Sequence, residues 1–286
     1  VIDLNGASED DVVVPAGHWS TYARVTLQRL GRNFPGMVGA DLAIACDLPP
    51  ASGMSTSSAL VCSLFLSLDA AQSPLRLQET QEFKAALPTK LQLFEYLGCL
   101  ENGSTCGSLI GDAGVGTFGG SEDHTAIMAC QANQLAVFSF CPTRFERSVP
   151  FPADLTLVIA VSGVIAEKTA AAKDQYNAAA ILARQAAKSL GASHLAAALQ
   201  VDSETAVLQA ARSNRASTAE QCKVELSQRL LVNDPGVKGE ALIKRFEQFW
   251  YESTVVVPNM ASAFAAAAAA TNSTDNSTDN STDNST

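Results

Sequence analysis

One stretch constrains this chain more than any other. Pro49-Pro50-Ala51-Ser52-Gly53-Met54-Ser55-Thr56-Ser57-Ser58-Ala59 runs straight into Leu60-Val61-Cys62-Ser63-Leu64-Phe65-Leu66-Ser67-Leu68. A prolyl turn and a glycine lead into four consecutive hydroxyl residues, and an apolar run follows. Leu60, Val61, Leu64, Phe65 and Leu68 recur at helical spacing and predict one buried stripe. The glycine-hydroxyl segment is thereby placed at the start of a buried helix. Backbone N–H groups at such an end are unpaired and the helix dipole is positive there. Small residues let an anion approach those amides, so the segment suits a phosphate. No Lys follows the glycine, which excludes a Walker loop. The serine hydroxyls would offer neutral donors instead, and a ligand for a metal riding on the phosphates. The plainer alternative is that these Ser and Thr residues only cap the helix.

The rest of the composition is globular. The 286 residues are 47% hydrophobic and 17% charged, ample for a sizeable core. A net charge of -10, with no basic run longer than a pair, argues against nucleic acid or an anionic membrane as partner. No segment reaches 18 uninterrupted apolar residues and the first residues show no basic-then-apolar signal, so a cytoplasmic location is expected. The seven cysteines (46, 62, 99, 106, 130, 141 and 222) are odd in number and lack C-x-x-C spacing. Several lie in apolar runs and read as buried free thiols in a reducing compartment. His18, His124 and His194 are scattered, with none near a cysteine pair, which argues against zinc.

Periodicity predicts an amphipathic helix over 19–30, with Tyr22, Val25, Leu27 and Leu30 on or near one face. Residues 38–47 alternate like a strand, 82–99 read as helical around Pro88, and 102–120 form a glycine-rich loop before a short helix at 123–129. Strands are predicted over 135–140 and 155–161. A long alanine-rich helix is expected over 167–190, ended by Gly191 as C-cap. Further helices are expected near 193–212, 216–231 and 236–252. Few strands and many helices point to an α+β fold with helices covering a sheet. The run of six alanines at 265–270 and the Asn-Ser-Thr-Asp repeat over 271–286 are expected to be disordered and dispensable. The Asn-Ser-Thr triplets match a glycosylation acceptor pattern, but nothing else in the chain indicates secretion.

A second constellation is Gly114-Val115-Gly116-Thr117-Phe118-Gly119-Gly120-Ser121-Glu122-Asp123-His124-Thr125. Pliable glycines end in an acidic pair at a helix start, and on the local sequence Asp123 reads as an N-cap. A third is Val161-Ser162-Gly163-Val164-Ile165-Ala166-Glu167-Lys168-Thr169, followed by Asp174-Gln175-Tyr176-Asn177. Taken alone, Tyr176 reads as a half-buried helix aromatic.

Together these three segments resemble the GHMP small-molecule kinases, and galactokinases most of all, over roughly residues 15–255. Pro49-x3-Gly53-Met54-x-Thr56-Ser57-x-Ala59 resembles the family's phosphate-binding motif, with Ser58 where alanine is usual. Gly120-Ser121-Glu122-Asp123-His124 resembles the Cys-Gly-x-x-Asp-Gln segment that carries the galactokinase aspartate, with His124 in place of glutamine. The third segment resembles the strand ending in Ser-Asn-Val and the following Glu-Tyr-Asn.

The resemblance implies ATP held by Pro50, Ser52, Gly53, Met54, Ser55, Thr56, Ser57 and Ser58. It implies Asp123 as the catalytic carboxylate, with Gly120, Asp123 and Tyr176 touching the sugar. Magnesium would sit between Ser57 and Glu101, with Asp112 as a rival ligand because about ten extra residues separate Glu101 from Asp123. The implied reaction is ATP-dependent phosphorylation of a monosaccharide hydroxyl, giving sugar 1-phosphate and ADP. Arabinose or a uronic acid as acceptor, or a non-catalytic nucleotide- or sugar-binding relative, are the alternatives. The implied architecture is the α+β GHMP kinase fold. It would have an ATP-binding part over 1–145, a helix-rich, ferredoxin-like part over 146–260 and a disordered tail over 261–286. The family's opening Gly-Arg-[Val/Ile]-Asn-Leu-x-Gly-Glu-His-x-Asp-Tyr strand and its closing Thr-Gly-[Ala/Gly]-Gly-x-Gly-Gly motif have no match here. The chain is therefore expected to represent the central portion of such a kinase, with uncovered sheet edges, poor folding and little activity.

Overall fold

The structure is a computed structural model that describes residues 18–49, 52–160, 170–201 and 216–278. These residues fall into two compact units. The first takes in residues up to Cys130, with Pro142–Arg144 and the stretch ending at Asn177. The second takes in Gln131–Cys141, Phe145–Ile159 and the chain from Ala178 onward.

In the first unit, α1 (Ser20–Asn33), α2 (Thr56–Ala71), α3 (Gln81–Ala86), α4 (Lys90–Asn102) and α5 (Glu122–Ala129) form in the order their patterns predict. The α2 stripe buries Val61, Leu64, Phe65 and Leu68, with Leu60 half-buried at its margin. It packs against Leu27 and Leu30 of α1, against Phe34 just beyond its end, and against Tyr96, Leu97 and Leu100 of α4. The break at Pro88 is sharp because Thr89 restarts the chain with a capping box. Its hydroxyl accepts from Gln92 N while the Gln92 side chain accepts from Thr89 N.

Arg29 is the most unusual member of this core, a charged side chain with no exposure. Its Nε donates to Asn33 Oδ1 at 2.8 Å, its Nη2 to Ser104 O at 2.9 Å and to Leu109 O at 3.3 Å, and its Nη1 to Asp112 Oδ1 at 3.4 Å. Tyr96 donates to the same Asn33 oxygen at 2.8 Å. Burial pushes the Tyr96 phenol far above its usual range, with Arg29 acting against it. This network stitches the loop after α4 onto α1.

In the second unit, β1 (Gln134–Ser139) and β2 (Arg144–Pro150) form a two-stranded sheet, with Phe138 and Phe145 edge-on across it at 5.5 Å. α6 (Ala170–Ser189) ends as expected at Gly191, whose φ of +76° accompanies bonds from Gly191 N to Lys188 O and from Ala192 N to Ala187 O. That is a Schellman arrangement. α7 (Leu195–Val201), α8 (Ala216–Asn233) and α9 (Val237–Tyr251) join α6 around Leu190, Leu199, Leu230, Leu242, Phe246 and Trp250. Lys223 lies over the Trp250 ring at 5.1 Å. A π-turn at Glu252–Val256 then leads into α10 (Val257–Thr278), which stacks Phe264 on Phe151 at 5.7 Å.

Four expectations are corrected. Residues 38–47 form no strand: they are irregular and mostly exposed, with Val38 held at N and O by the Gln72 amide. Residues 155–160 are likewise irregular, with Val158 86% exposed, while Val161 lies outside the described residues. Alternation or a short apolar run marks a segment able to pair, but a strand exists only beside a partner. The described sheet has two strands and neither segment joins it. β2 was not anticipated, and both hydrophobic cores are built from helices rather than from helices on a sheet. Mixed helix and strand, α+β at the coarse level, still holds. Finally, the chain from Ala261 to Thr278 is helical, where a disordered tail was expected. Alanine is the strongest helix former, and Ala261 and Ala268 are buried, which anchors the run. Among the described residues, the helical run Lys238–Ala270 is long and apolar enough to cross a membrane by length and composition alone.

Candidate functional site

The turn into α2 positions the first candidate group. Ser52 donates its hydroxyl to Pro49 O at 2.7 Å, and Thr56 Oγ1 reaches the same carbonyl at 3.5 Å. Gly53 has φ +78° and Ser55 φ +51°, so the chain turns through left-handed conformations before the helix begins. A Cβ at Gly53 would meet no atom within 4 Å, so the glycine answers a need for backbone freedom rather than for space. Ser55 is the N-cap residue, yet its side chain makes no capping bond. The plain capping role therefore does not account for it. Met54, Thr56 and Ser57 are half-buried, and Pro50 lies outside the described residues.

Ser58 points elsewhere. It is 2% exposed and donates to Glu101 Oε2 at 3.0 Å. Glu101, near the end of α4, is itself buried, and Nε2 of the buried His124 lies 3.1 Å from the same oxygen. That separation suits an ion pair, but the alignment is not that of a hydrogen bond, and His124 Nδ1 has no hydrogen-bond partner among the described residues. Ser58, Glu101 and His124 thus tie the starts of α2 and α5 to the end of α4. Gly98 makes the approach possible, because a Cβ there would sit 2.8 Å from Ser121 Cα.

Asp123 is not the N-cap of α5. Ser121 holds that position, and Asp123 sits in the first turn, where the helix dipole favours its charge. Its carboxylate is half-buried, and among the described residues no hydrogen bond or ion pair reaches it. It lines a cavity of about 20 Å³ together with Ser58, Glu101, Asn102, Thr117, Gly120 and His124. That volume holds about one water.

The glycine-rich loop around this cavity is pinned from two sides. Val115 N donates to Glu101 O at 2.9 Å and Asn102 Nδ2 to Gly119 O at 2.8 Å. From α6, Asn177 Nδ2 donates to Gly116 O at 3.0 Å, while its Oδ1 accepts from Phe118 N at 2.9 Å. Lys173, one turn earlier, lays its ammonium against the backbone at Gly116. Neither Lys173 nor the loop-holding role of Asn177 was anticipated. Their i,i+4 spacing was the available signal, since it puts both on one helix face. Tyr176 lies on the described backbone of α6, but its side chain is outside the described residues.

The acids sort themselves by their partners. Asp112 accepts from Arg29 at 3.4 Å, Arg32 at 2.9 Å and Gly114 N at 2.9 Å, so it fastens the loop rather than standing ready as a metal ligand. The Ser57 and Glu101 pair does not fit magnesium in this arrangement. Glu101 Oε2 already serves Ser58 and His124, and the space beside it has the size of a single water. Among the described residues no group of three or more His, Cys, Asp or Glu forms a metal cluster.

No protein-family model and no solved structure matches this chain.

Proposed function

We propose that this chain is a sugar kinase of the GHMP type, most like a galactokinase, which passes the γ-phosphoryl group of ATP to a monosaccharide hydroxyl. One observation carries the reading. Ser58, Glu101, Gly120 and Asp123, which come from separate parts of the sequence, line one cavity in which, among the described residues, no hydrogen bond or ion pair reaches the Asp123 carboxylate. The pinning of the glycine loop by Asn177 supports it further, because the third motif then sits beside the second.

In this reading the amides and hydroxyls of Gly53 to Ser57 hold the ATP phosphates at the positive end of α2. Asp123 accepts or orients the proton of the attacking sugar hydroxyl. Lys173 supplies positive charge near the transferred group. Ser58 and Glu101 brace the site instead of touching phosphate or metal, and no step is assigned to magnesium. The proposed fold is the GHMP kinase fold, and the proposed location is the cytoplasm, with neither nucleic acid nor membrane as partner.

The engagement of Glu101 by Ser58 and His124, which leaves the expected metal pair unfit for magnesium, favours a second reading, a non-catalytic relative that binds nucleotide or sugar as a sensor. A turnover assay with ATP and a panel of galactose, arabinose and galacturonic acid separates the two. A kinase releases ADP with one of these acceptors, whereas a sensor binds and releases none. The phosphate loop has its own test. Gly53→Val forces a β-branched residue into φ +78°, a strain of about 1–3 kcal/mol. The turn should shift and ATP binding measured by calorimetry should be lost. Unchanged affinity in this variant would remove the loop from the phosphate site.

A further inference from the structure

The chain that leads into Asp123 has little order of its own. Residues 117–120 belong to no helix or strand, and Gly114 and Gly116 before them have φ of +53° and +83°. One buried side chain supplies what a neighbouring strand would. Asn177 donates from Nδ2 to Gly116 O at 3.0 Å and accepts at Oδ1 from Phe118 N at 2.9 Å. A carbonyl and the N–H two residues further on are the two groups that one residue of a parallel strand engages. The Asn177 amide thus stands in for a strand opposite Thr117, a buried residue that lines the cavity together with Asp123. Asn102 fixes the next stretch at Gly119 O, and Ser121 then caps α5.

We propose that Asn177 is a positioning residue of the site. By clamping the peptide groups on both sides of Thr117, it fixes where α5 begins and so where the Asp123 carboxylate stands beside the acceptor hydroxyl. This role rests on the kinase reading and deepens it. Asn177 acts through the loop, and no contact with the reacting atoms is assigned to it. Its chemistry is narrow, because the clamp needs a donor and an acceptor in one plane at one reach. Leucine has a similar shape and offers neither group. Aspartate keeps the acceptor for Phe118 N but sets a second oxygen against Gly116 O. Glutamine keeps both groups, one methylene further out.

The full chain and its Asn177→Leu, Asn177→Asp and Asn177→Gln variants are compared by four measurements. These are steady-state kinetics with the acceptor that the wild type phosphorylates, calorimetry of ATP binding, urea unfolding, and amide hydrogen exchange read by mass spectrometry. In Asn177→Leu, kcat should fall by about 10²-fold, the scale of a displacement of about 1 Å at a reacting group. The KM for ATP and the ATP affinity should stay within about twofold, since the phosphates are assigned to the turn before α2. Amides over 118–121 should exchange at least about tenfold faster, while those of α2 keep their rates. Asn177→Gln should lie between the wild type and Asn177→Leu in both kcat and exchange. If the leucine variant does not fold, Asn177→Asp carries the same comparison, because it retains the bond from Phe118.

Unchanged exchange over 118–121 would show that Asn177 clamps nothing. Faster exchange with an unchanged kcat would show a clamp that positions nothing, and loss of kcat only in proportion to the unfolded fraction would make Asn177 structural. Each of these overturns the proposal and leaves the kinase reading intact, provided that the wild type turns over and Asp123→Asn does not. A wild type that releases no ADP with any acceptor removes the kinase reading, and the positioning role falls with it.

Discussion

Asp123→Asn is expected to lower sugar-dependent ADP release by about 10²–10⁴-fold, the range associated with losing a general base. The amide keeps the size of the carboxylate and can still line the cavity, but it cannot take a proton from an attacking hydroxyl. ATP affinity should stay within about twofold, because the phosphates are assigned to the turn at the start of α2 and not to α5. Stability should also change little. Ser121, not Asp123, is the N-cap, so the substitution removes only a favourable charge near the helix dipole, about 0.3–1 kcal/mol. Steady-state kinetics, calorimetry and urea unfolding on one preparation decide the matter. A variant that loses stability and turnover in proportion would make Asp123 a structural residue, and the kinase reading would lose its base.

Arg29→Ala should be the most damaging substitution for folding. Removing one member of a buried charge network strands its partners, at a cost of about 3–5 kcal/mol. Here Asp112 would lose one of its two arginines, while two backbone carbonyls and the Asn33 side chain would lose a donor. Against a typical total of about 5–15 kcal/mol, that loss brings the first unit close to unfolding at room temperature. Arg29→Lys keeps the charge but not the planar fork, so its unfolding midpoint should fall between those of Ala and Arg. Coincident urea midpoints for all three proteins would show that the network contributes nothing net.

What the sequence made legible was local. The α2 stripe and the cap at Gly191 each depend on residues within a turn or two, and each formed as read, whereas the stretch read as helical around Pro88 splits there into two helices. The candidate site was legible in part for the same reason, since the turn before α2 and the acidic start of α5 are local patterns. Their mutual placement was not. Ser58 meets Glu101 across 43 positions and Arg29 meets Asp112 across 83, and no spacing rule reaches so far. The alternating segment 38–47 and the apolar segment 155–160 failed as strands from the opposite cause. Their pattern is local, but strand formation is decided by a partner elsewhere, and within the described residues none is supplied.

Those two segments also set where the chain is open to attack by proteases. Among the described residues, the backbone of 39–47 and 156–160 makes no hydrogen bond, so a protease needs no local unfolding to thread either segment through its active site. Both hold the bulky apolar side chains that thermolysin selects, with Ile44 49% exposed and Leu157 75% exposed. Brief digestion of the native protein should therefore cut beside Ile44 and within 155–160 first, and leave the helices intact. Each nick would fall outside both hydrophobic cores, so the fragments should stay associated until denaturant separates them. Early cleavage inside α2 or α4 instead would place the weakest part of the molecule in its core.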